Sequence, residues 1–438
     1  MKHLIDTFNQ CSMHDASESI LKLYDDVSEI KELDNRGILI NRPLFSHSSL
    51  PDTLGTDAVH VKEFDFKEPF LYCVCVHHNT NLWAKHINKI PEIILDNVRN
   101  GNGKLVFDDT MEGAPYDEFL DIIYKSIDEL NLPADKLYFI TNNLLAESTH
   151  DKWKINNNIK KHINLFSFMY NVHDVQRLKK IPCLPDSVNI EDEIKYKSDN
   201  LHNIKHFLKV NRTSRFERNL FMLHMNKNNM LEKSLISFPQ AYQNYHLTPL
   251  GQAQNNFTYP KLFKDLTTPD NINSLRSKIP FHIDVTDETN VGEPGHKVGT
   301  FNADLPFQPI HYKNSLISLV MCAFPFQENA CHLHSSTYNP IFCGHPVIQF
   351  GPYQHLKQMK NNGFKTFSKW WDESYDDEID GLERLKMVMD VSHNISKMPI
   401  ETVFDMIVDM KEVLQHNSDL INNYSVKDSL IKKIFNEQ

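Results

Sequence analysis

A chain of 438 residues with 40% hydrophobic and 11% aromatic content is long enough for two or three domains with substantial cores. Its formal charge of −11 argues against a dedicated nucleic-acid coat or a membrane-surface protein, while leaving room for a local basic groove. The 13 glycines form neither GxGxxG nor GxxxxGK, so the common phosphate loops are absent, and no apolar run approaches the roughly 18 residues of a membrane span. Seven scattered cysteines suit a reducing compartment, and the first residues carry no apolar signal core. The expected location is cytoplasmic.

In chain order, 17–33 has apolar positions at helical spacing. Strands then alternate with helices. PFLYCVCVHH (69–78) reads as a buried strand and GKLVFDDTMEG (103–113) as a strand ending in an acidic loop. DEFLDIIYKSIDELNL (117–132) is an amphipathic helix, and KLYFITNN (136–143) and INLFSFMYN (163–171) are further strands. This order implies a parallel sheet with crossover helices. Two prolines and alternating charges make 176–203 a linker. A second unit begins with strand KHFLKVN (205–211) and a helix over 213–233, with Thr213 or Ser214 as N-cap and Glu217 as capping-box partner. Strands follow at 234–238, 315–324 and 345–351, and from 381 onward the chain is nearly all helix. The expected fold class is α/β, two Rossmann-like domains facing a cleft, followed by C-terminal helices. The expected domains are 1–190, 200–395 and a C-terminal helical part, 396–438. Ligands of such sheets bind beyond the carboxyl ends of the strands.

The strongest local candidate is KVNRTSRFER (209–218). Asn211 and Arg212 close a strand, and Arg215 and Arg218 flank the first turn of the next helix. Free N–H groups and guanidinium donors there suit a diphosphate. The aromatic, acidic loop GFKTFSKWWDESYDD supplies Lys365, Asp372, Glu373, Tyr375 and Asp376. Its carboxylates suit sugar hydroxyls and its indoles suit stacking; the plainer alternative is an acidic helix start behind a Trp-anchored turn. Asp108, Asp109 and Glu112 close a strand of the first unit, where a carboxylate could act as base, although acidic strand ends are also common solvated turns. Cys331, His332, His334, Cys343 and His345 lie close in sequence, but their spacing fits no standard zinc pattern.

With these segments in view, the chain resembles the glycosyltransferases of the two-Rossmann-domain (GT-B) type found in tailed bacteriophages and related to exostosin-like and fucosyltransferase-like enzymes. The resemblance is carried by FLKVNRTSRFER, SLISLVMCAF, HSSTYNPIFCGHPVIQFG, HLKQMKNNGFKTFSKWWDESYDD, Arg384 and His416-Asn417, and 345–384 is its most specific part. It implies a nucleotide-sugar donor in the second domain (200–395), an acceptor facing the first (1–190), C-terminal helices (396–438) crossing back to the first domain, no cofactor or divalent metal, and, if the gene is viral, a location in the host cytoplasm. Arg212, Arg215 and Arg218 would neutralise the diphosphate, with Lys365 in support. Thr337, Tyr338 and Asn339 would shape the nucleoside pocket. Asp372, Glu373 or Asp376 would orient the sugar, and Asp109 or Glu112 would be the base. The family's charged donor contacts fall here on Cys322, Ser335 and Ser336.

The leading expectation is therefore sugar transfer to a hydroxyl acceptor, either hydroxymethylated pyrimidine in viral DNA or a glycan. A DNA path would use the basic stretch Lys152 to Lys161 with Arg177, Lys179 and Lys180. The alternative is a non-catalytic binding protein of the same fold that has lost the donor site. A weaker third option is a metal-dependent hydrolase built on the Cys/His group.

Overall fold

The computed structural model describes residues 2–5, 58–60, 64–75, 90–109, 117–169, 172, 188–211, 215–238, 260–279, 281, 283, 309–322, 325–425 and 428. The helix expected at 17–33, Glu112, Arg212, Thr213, Ser214, Arg177, Lys179 and Lys180 lie outside the described residues.

The first sheet contains β1 (Lys2–Ile5), β2 (Ala58–His60), β3 (Phe70–Cys75), β4 (Gly103–Asp109), β5 (Leu137–Thr141) and β6 (Asn164–Ser167), in the order β2-β1-β3-β4-β5-β6. Every ladder is parallel. Parallel strands covered on both faces need continuous apolar runs, which is what LVF in β4 and LYFI in β5 supply. The crossovers include α1 (Glu92–Asn100), α2 (Asp117–Glu129) and α3 (Ala146–Asn156), whose apolar faces pack on Phe107 and Phe139. The other face of the sheet holds a smaller core of Leu71, Cys73, Val106, Tyr138, Ile140 and Phe168.

The stretch read as a linker contains a helix, α4 (Ile190–Asp199). Asn189 caps it by accepting the Glu191 and Asp192 N–H groups, and three acids in its first turn complement the helix dipole. The local chemistry of a helix start was therefore present among the charges. Lys197 of α4 donates to the carbonyls of Tyr312, Lys313 and Ser315, tying the helix to the second unit.

The second sheet contains β7 (Lys205–Val210), β8 (Ser234–Ser237), β9 (Ser315–Met321) and β10 (Val347–Phe350), again all parallel, in the order β10-β9-β7-β8. Between them run α5 (Phe216–Lys227), α6 (Pro269–Arg276), α7 (Pro309–Lys313) and α8 (Ser335–Phe342). α5 begins with Arg215 at its N-cap and no side-chain cap bond, rather than with the expected Ser/Thr capping box. After β10 come α9 (His355–Asn361), α10 (Gly381–Ser396), α11 (Ile400–Asp409) and α12 (Lys411–Asn423). Gly344, at φ +63°, turns α8 into β10; a Cβ there would sit 2.0 Å from Ile190 Cδ1.

Within each sheet the first four strands in chain order lie as second, first, third, fourth. The chain therefore folds as α/β with two Rossmann-like units, each with a topological switch point between its first and third strands. The C-terminal helices return to the first unit: the Met169 N–H donates to the Tyr424 hydroxyl at 3.3 Å, and the Tyr424 ring packs on the Phe168 core.

Candidate functional site

The switch point of the second sheet lies where β7 and β9 end, at Asn211 and Cys322. On β7, Lys209 is wholly buried, its Nζ 4.4 Å above the Phe221 ring of α5. That ammonium has no hydrogen-bond acceptor among the described residues, and neither does Asn211 Nδ2 have one. Burial, with Arg218 nearby, holds the Lys209 amine well below its ordinary range. Arg218 sits 3.9 Å from Glu217 Oε1, and its charge also reaches the Cys322 thiol. Arg215 is exposed at the start of α5. The result is a set of buried donors at a helix N-terminus, at the edge of the sheet where ligands collect.

The nucleoside-pocket candidates lie deeper. Thr337 and Tyr338 are fully buried on α8, and Thr337 Oγ1 donates to Gln349 Oε1 at 3.2 Å. Asn339 is half-buried, with no partner for its Oδ1 among the described residues. Cys322 is also buried, which pushes its thiol up to about 12. Its Sγ lies 3.7 Å from His355 Nε2, and Cys331 Sγ lies 3.6 Å from Nδ1 of the same ring. This chain of thiols and imidazole fills the space beneath the end of β9. Among the described residues no group of His, Cys, Asp or Glu is arranged to hold a metal ion. His345 hydrogen-bonds Ser318 Oγ at 2.8 Å and the Ser315 carbonyl at 2.9 Å, as a core histidine does.

The aromatic, acidic loop proves to be heavily engaged with its own backbone. Asp372 accepts the Ser374 N–H and hydroxyl at 2.8 and 2.9 Å. Glu373 accepts the Phe367 N–H at 2.8 Å, and burial raises its carboxyl. Asp376 accepts the first N–H groups of α9, from Leu356 at 2.7 Å and Lys357 at 2.9 Å. Trp371 is buried against Phe367, while Trp370 Nε1 and Lys369 Nζ both donate to Asp409 Oδ2 at 2.7 Å. Lys365 is exposed, with its backbone clamped by Asn417 through two bonds of 2.8 Å. Arg384, buried, gathers the carbonyls of Gly351, Pro325, Glu378 and Ile379, pinning the loops after β9 and β10 together.

On the first sheet, Asp108, Asp109, Thr141, Asn142 and Asn143 are all at most 2% exposed, a run of buried polar residues at the ends of β4 and β5. Thr141 Oγ1 donates to Asp109 Oδ2 at 3.0 Å, and the Asn143 N–H donates to Thr141 Oγ1 at 2.9 Å. Asn143 then reaches the second unit. Its Nδ2 donates to the Asn329 carbonyl at 3.0 Å, its Oδ1 accepts the Cys331 N–H at 2.8 Å, and the Leu144 N–H donates to the Cys331 carbonyl at 2.7 Å. The carboxyl edges of the two sheets thus meet at 143–144 and 329–331.

Lys209, Asn142 and Asn143 were not singled out from the sequence. A signal existed for the first: a lysine inside the apolar run FLKV belongs to no solvated face. The two asparagines looked like ordinary turn residues at a strand end.

No family model matches the sequence, and no curated protein matches it. Similar solved structures include an alpha,alpha-trehalose-phosphate synthase (UDP-forming) from Burkholderia vietnamiensis, at TM-score 0.40 and 9% identity over 98% of this chain and 80% of that one. A trehalose-6-phosphate phosphatase N-terminal domain from Candida albicans has TM-score 0.40 and 8% identity, covering 98% and 78%. A trehalose-6-phosphate synthase, OtsA, has TM-score 0.39 and 8% identity, covering 99% and 85%. The two-unit architecture stands on strand order and register, independently of these likenesses.

Proposed function

We propose that the protein transfers a sugar from a nucleotide-sugar donor to a hydroxyl acceptor, with the donor on the second unit. The observation that carries this reading is the pair of buried donors without acceptors, Lys209 Nζ and Asn211 Nδ2, at the switch point beside the N-terminus of α5. A buried donor without an acceptor costs about 1–3 kcal/mol, more if charged, which an anionic oxygen would offset. In this reading Arg212, Arg215 and Arg218 face the diphosphate, and Asn339 and Lys365 border it. Asp372, Glu373 and Asp376 act on the sugar chiefly by fixing the loop that holds it. The bond from the anomeric carbon to the phosphate oxygen breaks, and its electron pair leaves on the nucleoside diphosphate. The acceptor oxygen bonds to that carbon and gives its proton to a carboxylate of the first unit, Asp109 or Glu112. Stabilising the departing diphosphate is usually the largest single contribution in a site of this kind.

The test is calorimetry and thermal shift with a panel of sugar nucleotides. Wild type should be stabilised by at least one of them. Lys209→Met should melt higher than wild type in the absence of ligand and bind that donor at least about tenfold more weakly. Equal donor affinity in the two proteins removes Lys209 from the site, and no binding in either rejects the reading.

A second reading, a non-catalytic binding protein of this fold, is favoured by one observation. Cys322, Thr337 and Tyr338, which the resemblance places at the donor, are sealed in the core. Donor binding without transfer to any acceptor, measured by mass spectrometry, would select it.

A further inference from the structure

We propose that the buried polar cluster at the carboxyl edge of the first sheet is an acceptor subsite built around Asn142, and that it takes an uncharged polyhydroxyl acceptor, a carbohydrate. This deepens the sugar-transfer reading and rests on it. Asn142 is fully buried, and neither its Oδ1 nor its Nδ2 has a hydrogen-bond partner among the described residues. A primary amide presents a donor and an acceptor side by side. Leaving both unmade inside a fold is costly, and such a group calls for a bound partner. Two adjacent sugar hydroxyls offer the same pair in reverse. The neighbours suit that ligand: Asp108 shares the Asn142 face by strand alternation, and Asp109 stands one residue beyond on the opposite face.

Among the described residues, charge and topology favour a neutral ligand over a phosphodiester at this edge. Among the described residues, 108–109, 141–148 and 167–169 hold two aspartates and Glu147 and no lysine or arginine. The basic stretch Lys152 to Lys161 runs from the C-terminal half of α3 to the start of β6. A crossover helix in a parallel sheet returns the chain to the amino edge, so these lysines lie on the side away from Asp109 and Asn142. Two of them are also paired already, Lys154 with Asp151 at 3.2 Å and Lys161 with Asp128. Asn143, through its bonds to Asn329 and Cys331, keeps the cluster turned toward the second unit.

The test is saturation-transfer NMR of the full chain with methyl glycosides of common neutral hexoses, beside a binding assay with duplex DNA carrying hydroxymethylcytosine at about 0.15 M salt. Wild type should show transfer to at least one glycoside. Asn142→Leu should lose that signal at least tenfold while its stabilisation by sugar nucleotides is kept. Asn142→Asp, which retains the shape but not the N–H donors, should be weakened to an intermediate degree and serves if the leucine variant does not fold. Lys160→Glu should change neither glycoside nor DNA binding. Equal glycoside signals in wild type and Asn142→Leu, above all if the variant melts higher, make the amide a packing defect and overturn the proposal. Salt-sensitive DNA binding that Lys160→Glu weakens also overturns it. Absence of glycoside binding with sugar-nucleotide binding intact rejects only the acceptor subsite; absence of both rejects the transferase reading itself.

Discussion

At the scale of single residues, the most telling group is His355. It lies between the Cys322 and Cys331 thiols, and burial, with Arg384 nearby, pushes its imidazole down from 6.5 to about 4. The unfolded chain therefore takes up this proton first as the pH falls. The stability carried by the neutral ring is fully present above about pH 6.5 and is lost on going down toward pH 4, by about 3 kcal/mol at most. Urea unfolding midpoints measured from pH 7 to 4 should fall for wild type and fall less steeply for His355→Gln; parallel curves would mean that the ring titrates in the fold as it does in the unfolded chain. Residues of this kind were only partly legible. Cys322 stood out as a departure from the pattern the chain resembles, but sequence alone could not show that 3.7 Å of packing would join it to a histidine 33 positions later. Lys209 carried a visible anomaly, a charge inside an apolar strand. Asn142 carried none, because a strand-end asparagine has the same letter whether solvated or buried.

At the scale of elements, eight of the ten strands of the described chain could be read from an apolar run, since a buried parallel strand has little other way to be written, whereas the short β1 and β2 were not read. The loop 364–378 was harder. Its aromatics and acids suggested a ligand surface, and its density of polar atoms was correctly seen. Composition could not tell that the acids would turn inward onto backbone N–H groups. Asp376 is the clearest case, holding the first turn of α9 with two bonds while its own loop closes over it. Burial raises its carboxyl, so these two N–H donors are what keep it usefully charged there. Asp376→Ala should lower unfolding free energy by about 1–2 kcal/mol, as the loss of a helix cap does, and Asp376→Asn should lower it less. Chemical denaturation of the three proteins checks this. If the side chain also touched the donor sugar, Asp376→Asn would weaken sugar-nucleotide binding by more than it weakens the fold.

For the whole molecule, alternation of strands and helices disclosed two parallel units, yet it could not disclose how they meet. Local pattern fixes the elements, whereas the contact between units joins residues nearly 190 apart, as in Asn143 Nδ2 to the Asn329 carbonyl and Asn143 Oδ1 to the Cys331 N–H. Those bonds, with Leu144 N–H to the Cys331 carbonyl, are the polar latch between the two carboxyl edges. The latch runs through Thr141 to Asp109, so the relative placement of the units and the position of the proposed base are set by one short network. Asn143→Ala removes both side-chain bonds across the junction. Each sheet keeps its own core, so the cost to folding should stay within about 1–3 kcal/mol while the junction loosens. Hydrogen exchange should then show faster exchange at the Cys331 and Leu144 amides, with the β5 and β9 amides still protected. If the two units must close together for transfer, the variant should keep donor affinity within about twofold and lose at least about tenfold in kcat, the signature of a positioning residue. Unchanged protection at Cys331 and Leu144 would mean that the units are held by the Tyr424 contact and their apolar surfaces rather than by this latch.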